Sequence, residues 1–385
     1  MALKPYDAQE LFTWLTSQPD FLLLDVRNDV EFGRFKVEGP HPFEMMNLPY
    51  MEFVEHEAQS VAQVPKGKKL RIVCAKEGSA KFVAEILEKH GFADVGYLTG
   101  GIKSWGNLLV PKLLSTDVEY RLYQFIRPGK GSCSYGLAYN KELILFDPSR
   151  NIDFYLNFAA EKGLTISKTV ETHLQPDYIS GSRMIAEKSG AVFYANAEDF
   201  GGARIDYEQL KDGDQVGFGP DGPEVQVLFS PGHTPGSTMF VIDRRYVITG
   251  DIVFIKSIGR PDLGGKVDEW SSVLFKTIGN IKTMDETITV LPGHYIDWDE
   301  ANAELNFARP LSEIKKINES IYAIEQEEEF VDFIKSNMRD QPPEYATIRL
   351  VNANLEVVDD EKAEVLDLGK NECAASAYAA AQQQQ

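Results

Sequence analysis

Four short polar segments, each set directly after an apolar run, constrain the fold of this 385-residue chain more than any other feature. They are Thr172-His173-Leu-Gln175-Pro-Asp177-Tyr178, Pro231-Gly232-His233-Thr234, Thr249-Gly250-Asp251 and Leu291-Pro-Gly-His294. The preceding runs, among them 168–172, 225–229 and 246–249, read as strands, being short, apolar and bounded by turn residues. Strand ends are rigid, and a sheet can present several side chains from them to one point. A lone histidine after a strand is ordinarily a structural residue. Four such segments, two of them flanked by Pro-Gly, point instead to one site assembled from several strand ends.

The rest of the chain organises around that region. Residues 1–108 alternate helices with short buried strands, at 21–25 and 70–74. Asp7 is placed to cap a helix carrying Leu11, Phe12 and Leu15, and a helix over 79–90 stops at Gly91. This rhythm predicts a small doubly wound α/β domain. Residues 109–118, with Pro111, read as a linker. From 119 to 303 strands dominate, at 143–146, 168–172, 191–194, 225–229, 239–242 and 246–249, with a helix at 179–189. Sheets packed on each other with helices outside fit this series. Leu311, Ile314, Ile317, Ile321 and Ile324 then recur at helical spacing. A second helix near 330–334 and a strand pair near 346–368 complete an α+β extension over 304–373. Residues 374–385, rich in Ala and Gln, offer no face to bury and read as a disordered tail.

Charge and composition exclude some partners. Lys plus Arg number 39 against 59 Asp plus Glu, a net of −20, so phosphate backbones and anionic membranes are repelled. No run approaches the ~18–20 apolar residues of a spanning helix. The start, Met-Ala-Leu-Lys-Pro-Tyr-Asp, has neither the apolar core nor the cleavage site of a signal peptide, which makes the cytoplasm the expected compartment. Cys74, Cys133 and Cys373 are too far apart for a disulfide framework or a C-x-x-C metal site. Cys133 and Cys373 are expected to be packing residues.

The four segments resemble the ordered motifs of the metallo-β-lactamase superfamily: H-x-H-x-D-H, a G-H-T turn, G-D and a late G-H. The resemblance covers about residues 120–300 and implies an αββα sandwich. One departure is informative, because Gln175 and Tyr178 stand where two imidazoles belong. A neutral amide oxygen and a phenol of pKa about 10 are poor substitutes for imidazole, so a two-zinc hydrolase site is not expected. His173, His233 and Asp251 remain. Two histidines and a carboxylate are the ligand set of non-haem iron(II) oxygenases and leave up to about three positions open. The persulfide dioxygenase branch of the superfamily binds iron with the corresponding three residues. The run Gly259-Arg260-Pro261-Asp262-Leu263 is similar to a G-R-[TP]-D-[LF] run of that branch. The resemblance therefore implies one Fe(II) per chain, with zinc as the alternative. It also implies a catalytic Arg260, which would pair with Asp262 or with substrate, and supporting roles for Asp177, Asp262 and His294.

The N-terminal part carries a second constellation. Cys74 ends a strand and opens a loop of Ala75, Lys76, Glu77, Gly78 and Ser79 that runs into a helix. Backbone N–H groups in such a loop can cradle an anion and activate a thiol. With Leu24-Asp25-Val-Arg27, Glu31-Phe32, Leu98-Thr-Gly-Gly101-Ile and Trp105, the segment 5–107 resembles a complete rhodanese domain. In that family the loop cysteine accepts sulfane sulfur as a persulfide. Many members have Arg where this chain has Ser79, and Lys76 is the nearby charge that would compensate.

Together the resemblances imply an enzyme of sulfur metabolism. It would oxidise a low-molecular-weight thiol persulfide, such as glutathione persulfide, with O2 to sulfite and thiol. Rhodanese transfer through Cys74 would handle thiosulfate, sulfite and persulfide. The partners expected are these small molecules, with no nucleic acid and no membrane, and a homo-oligomer is compatible with them. Two rivals stand beside this reading: a mononuclear glyoxalase-type thioester hydrolase using zinc, and a catalytically degenerate sensor or scaffold.

Overall fold

The computed structural model describes residues 3–17, 19–115, 118–263, 266–338 and 340–375. They form two compact units. One holds the chain up to Val110 with Arg127–Lys130 and Leu368–Lys370. The other holds Pro111–Ile126, Gly131–Asp367 and the segment from Asn371 onward.

The first unit is built on a five-stranded sheet in the order Lys4–Tyr6, Val95–Leu98, Leu70–Val73, Leu22–Asp25, Glu44–Asn47. All neighbours are parallel. The central strands are almost wholly apolar because a parallel sheet is covered on both faces. Helix Ala8–Leu15 begins at a capping box: Asp7 accepts from the Glu10 N–H while Glu10 accepts from the Asp7 N–H. Helix Gly78–Lys89 buries Ala80, Val83, Ala84, Ile86 and Leu87 into the same core as Leu22, Leu24, Leu70 and Ile72. The α/β architecture is the one the sequence predicts.

The second unit has two sheets. Seven strands run in the order Glu208–Gln209, Val192–Ala195, Thr165–Val170, Glu142–Phe146, Ser132–Tyr139, Arg121–Arg127, Val110–Leu113. Five run in the order Val225–Phe229, Thr238–Ile242, Tyr246–Gly250, Thr289–Pro292, Arg309–Pro310. Phe146 of the first sheet meets Phe240 of the second, with ring centroids 5.2 Å apart. Alternation along Thr238–Ile242 sends Phe240 to that interface while Met239 and Val241 join a core with Leu274, Ile278 and Ile281 of helix Val267–Lys282. Leu311, Ile314, Phe330 and Ile334 of the C-terminal helices extend this core. Among the described residues, no helix is long and apolar enough to cross a membrane.

Four local expectations are corrected. The linker 109–118 contains the edge strand Val110–Leu113, and its residues 116 and 117 lie outside the described residues. The amphipathic stretch from Leu311 is two helices, Leu311–Ile317 and Glu319–Tyr322. They are separated at Asn318, whose amide donates to the carbonyls of Ile255 and Ile314. The strand pair placed near 346–368 is helices Glu344–Asn352 and Asp360–Asp367; the Ile, Leu and Val content suggested strands, but the buried positions Tyr345, Ile348 and Asn352 keep helical spacing. Ala374 and Ala375, assigned to the disordered tail, are buried. Ala374 bridges to Gly259, and the Ala375 N–H donates to the Ile258 carbonyl at 2.9 Å. The remainder of that tail, 376–385, lies outside the described residues.

Because Phe240 is fully buried where the two sheets meet, Phe240→Ala should destabilise the second unit by about 3–5 kcal/mol. A guanidinium titration that leaves the midpoint of that unit unchanged would show that the sheets are held together elsewhere.

Candidate functional site

His173 lies just past strand Thr165–Val170 of the seven-stranded sheet. His233, Asp251 and His294 follow strands Val225–Phe229, Tyr246–Gly250 and Thr289–Pro292 of the five-stranded sheet. Strand ends of both sheets thus converge. One ligand atom each from His173, His233 and Asp251 fall within 4.8 Å of one another, all buried. Asp251 Oδ2 is 3.7 Å from His173 Nε2 and 3.5 Å from His233 Nε2. These three atoms have no hydrogen-bond partner. Buried polar atoms are nearly always satisfied, so three orphans facing one point are the signature of a cation position. Donors each about 2.0–2.2 Å from a shared ion lie about 3–3.5 Å apart, close to the separations here.

The hydrogen-bond network fixes which nitrogen faces that point. His233 Nδ1 lies 2.8 Å from the Arg260 carbonyl, which only accepts, so Nδ1 carries the proton and Nε2 the lone pair. Thr172 Oγ1 donates to Asp147 Oδ2 at 2.9 Å and is left to accept from His173 Nδ1, also at 2.9 Å. Asp199 ties the two histidine turns together. Its carboxylate accepts from the Leu174 N–H, the Thr234 hydroxyl and the Gly236 N–H, at 2.9, 2.7 and 2.7 Å.

Burial pushes the His173 imidazole down to about 3 and lowers His233 as well. Both are therefore neutral at physiological pH, the form a metal requires. Burial acts to raise Asp251, but His294, and after it His173 and His233, hold its carboxyl well below the usual range. His294 is opposed by burial yet lifted to about 10 by Asp177 and Asp251. It contacts Asp251 Oδ1 through Nδ1 at 2.7 Å and Asp177 Oδ2 through Nε2 at 2.9 Å.

Gln175 and Tyr178 point elsewhere. The Gln175 amide approaches the Nδ1 edge of His173 at 3.4 Å and lines a cavity of about 390 Å³ with Glu171, Arg150 and Arg183. The Tyr178 hydroxyl donates to the Asp147 carbonyl at 3.2 Å. Arg260 forms a buried two-pronged pair with Asp262, at 2.6 and 2.7 Å, and donates to the Glu372 carbonyl. Of its two expected engagements, the structure contains the one with Asp262.

In the first unit Cys74 lies buried at the end of strand Leu70–Val73. The loop 75–77 leads into helix Gly78–Lys89. The Ile102 N–H donates to the Cys74 carbonyl at 2.7 Å, and the Gly100 N–H donates to the Glu77 carboxylate at 3.0 Å. Gly101, at φ 63, is pressed against the loop so closely that a Cβ would sit 2.5 Å from the Cys74 carbonyl oxygen. Asp25 and Arg27 form a buried pair at 2.6 Å, and Arg27 also donates to the Phe35 carbonyl at 2.5 Å.

Residues 128–311 match the Metallo-beta-lactamase superfamily model, and 7–108 match that of the Rhodanese-like domain. The chain therefore carries a rhodanese-like domain followed by a metallo-β-lactamase domain. It is 32% identical over 137 residues to the mitochondrial persulfide dioxygenase ETHE1 of Bos taurus, covering 34% of this chain and 52% of that one. The chain thus spans about half the length of this relative. It is 29% identical over 180 residues to the probable metallo-hydrolase YqgX of Bacillus subtilis, covering 42% of this chain and 83% of the relative. A metallo-β-lactamase structure from Staphylococcus aureus superposes with a TM-score of 0.54 at 27% identity, covering 61% of this chain and 73% of that one.

Sequence reasoning passes over two residues of the metallo-β-lactamase domain, Asp147 and Asp199, and assigns a third, Cys373 of the C-terminal extension, to packing. Asp147 follows an apolar strand as the ligand candidates do, a signal that was there to read. Asp199 sits in a short helix and carries no motif. Cys373, assigned to packing, has a ligand atom within 4.8 Å of those of Asp177 and His294.

Gly259 passes so close to the centre that a Cβ there would lie 1.7 Å from the Asp251 carbonyl oxygen and 3.2 Å from His233 Nδ1. Gly259→Ala should therefore reduce bound metal several-fold although Gly259 offers no ligand atom. Elemental analysis of the purified variant tests this, and wild-type metal content would show that the loop yields freely.

Proposed function

We propose that the metallo-β-lactamase domain oxidises a low-molecular-weight thiol persulfide with O2 at one iron(II) held by His173, His233 and Asp251. One persulfide, one O2 and one water give one thiol, one sulfite and two protons. The rhodanese-like domain would move sulfane sulfur through Cys74 among thiosulfate, sulfite and persulfide. The observation that carries the reading is the convergence of three orphaned, buried donors, two imidazole nitrogens and one carboxylate oxygen, with no further imidazole at 175 or 178. Similarity to a persulfide dioxygenase supports it.

Iron(II), held by His173, His233 and Asp251, would supply the redox chemistry that joins sulfur to oxygen. The protein's part is orientation and exclusion. Asp147 through Thr172, and the Arg260 carbonyl, hold the two imidazoles in the ligating tautomer. Asp199 keeps their turns in register. Arg260, paired with Asp262, acts as a positioning residue for the loop that carries that carbonyl. At the other site the loop 74–79 would receive the anionic end of thiosulfate, with the Cys74 thiolate as nucleophile.

Similarity to a probable metallo-hydrolase favours a second reading, a zinc-dependent thioester hydrolase on the same three ligands. Metal content separates the two, because iron supports oxidation and zinc does not.

An oxygen-electrode assay with glutathione persulfide tests the division of labour. His233→Ala should lose bound iron and nearly all O2 uptake. Cys74→Ser should lose sulfur transfer, since a hydroxyl cannot hold a sulfane sulfur, yet keep most O2 uptake. Loss of uptake in Cys74→Ser with free persulfide would replace two independent sites by an obligatory relay.

A further inference from the structure

We propose that the cavity lined by Glu171 and Gln175 is a binding site for a small amphipathic amine, with the ammonium head held by these two residues and the apolar body held by the walls. The cavity measures about 390 Å³ and lies between two small apolar clusters of the second unit. Phe193, Phe200 and Ile205 form one wall, and Ile179, Val351 and Ala363 the other. Val357, 88% exposed, stands at its rim. A space of this order, mostly apolar with a few polar groups, is what a small-molecule site requires.

The polar end of the cavity is short of donors. Glu171 directly follows strand Thr165–Val170 and is wholly buried. Its Oε1 accepts from the hydroxyls of Ser180 and Ser182, while Oε2 has no hydrogen-bond partner. Among the described residues no cation pairs with this carboxyl, although a glutamate is almost never fully buried without one. Gln175 Oε1, on the neighbouring lining residue, is a second buried acceptor without a partner.

The other polar groups of the lining are engaged elsewhere. Arg150 pairs with Asp367 at 3.1 Å, Arg183 with Glu187 at 2.9 Å and Lys188 with Asp153 at 3.5 Å. The Asn352 amide donates to the carbonyls of Gln175 and Tyr178, both at 2.8 Å, and the Asn354 amide to the Arg204 carbonyl. An ammonium group brings three N–H donors and the missing positive charge, so it can serve both oxygens at once. A purely hydrocarbon ligand would leave both acceptors unsatisfied. A hard metal cation would need six or so oxygen ligands, and here it would meet hydrocarbon walls.

This site is distinct from the metal cluster. His173 faces Asp251 through Nε2, and Gln175 meets it at the opposite, Nδ1 edge at 3.4 Å. None of His173, His233 and Asp251 lines the cavity. Glu171 and Gln175 nevertheless flank His173 in the chain, so an occupant bears on the segment that presents the first imidazole. The inference does not depend on which metal the cluster takes or on the reaction proposed for it.

Calorimetric titration of the full-length chain as purified, with phenethylamine and with 2-phenylethanol as its uncharged counterpart, tests the proposal. Wild type should bind phenethylamine saturably and hold the alcohol roughly ten-fold more weakly, because only the amine makes charge-assisted hydrogen bonds. Glu171→Gln should erase that preference. Val351→Phe, which adds bulk to the apolar wall, should weaken both probes. His233→Ala, which should lack the metal, should bind the amine as wild type does. Absence of saturable binding to wild type overturns the proposal, as does equal affinity for the two probes, and this comparison decides even if a variant does not fold. A preference for the amine that survives Glu171→Gln overturns it too. So does amine binding that vanishes in His233→Ala, which would place the amine at the metal.

Discussion

The metallo-β-lactamase domain is organised around one buried carboxylate. Asp251 is removed from water, touches His294 through one oxygen and faces His173 and His233 with the other. An isolated carboxylate in such a place would cost several kcal/mol. The surroundings answer that cost with imidazoles and with a geometry that accepts a cation. Two other carboxyls nearby take the opposite course. Burial lifts Asp147 to about 7 and raises Glu171 as well, so both tend to shed their charge while Asp251 keeps its own. The centre therefore separates its acids into one that stays anionic and others that burial pushes toward the neutral form.

How much of this could be read in the sequence follows from distance along the chain. His173, His233, Asp251 and His294 each carry a local signature, an apolar strand ending in a turn residue, and the structure brings all four together. Cys74 is likewise marked by its own strand, loop and helix. Cys373 has no such signature. Hydrogen bonds from Asn371 to Gly131 and Tyr295, from Arg260 to Cys373 itself and from Ala375 to Ile258 set its place, and each joins segments far apart in the sequence. The strand pair near 346–368 failed for another reason. Its Ile, Leu and Val residues favour strands by composition, yet Tyr345, Ile348 and Asn352 are buried at intervals of three and four, and burial decided the outcome.

The rhodanese-like domain solves a different problem with backbone. Its loop must bring a buried cysteine, a glycine turn and a helix start to one place. The Asp25–Arg27 pair, bonded on to Phe35 and Glu31, braces the neighbouring strand end. Gly101 lets its own turn close on the Cys74 carbonyl where any side chain would collide. For the oxyanions proposed as substrates of this loop, a chain of net charge −20 offers little long-range attraction, so the proposed recognition falls to short-range N–H groups at the loop and helix start.

Gln175 and Tyr178 are best understood through what they touch. Had they only lost a function, their side chains would be indifferent to their surroundings. Instead Gln175 backs the non-ligating edge of His173, and the Tyr178 hydroxyl bonds to Asp147, whose carboxylate orients His173 through Thr172. Tyr178 is thereby built into the support of the first imidazole, whereas the Gln175 amide meets an Nδ1 that already gives its proton to Thr172 and adds no hydrogen bond there. Restoring a histidine at 178 would therefore remove a brace from His173 as well as add a donor, and the orientation of His173 within the three-residue cluster depends on that brace.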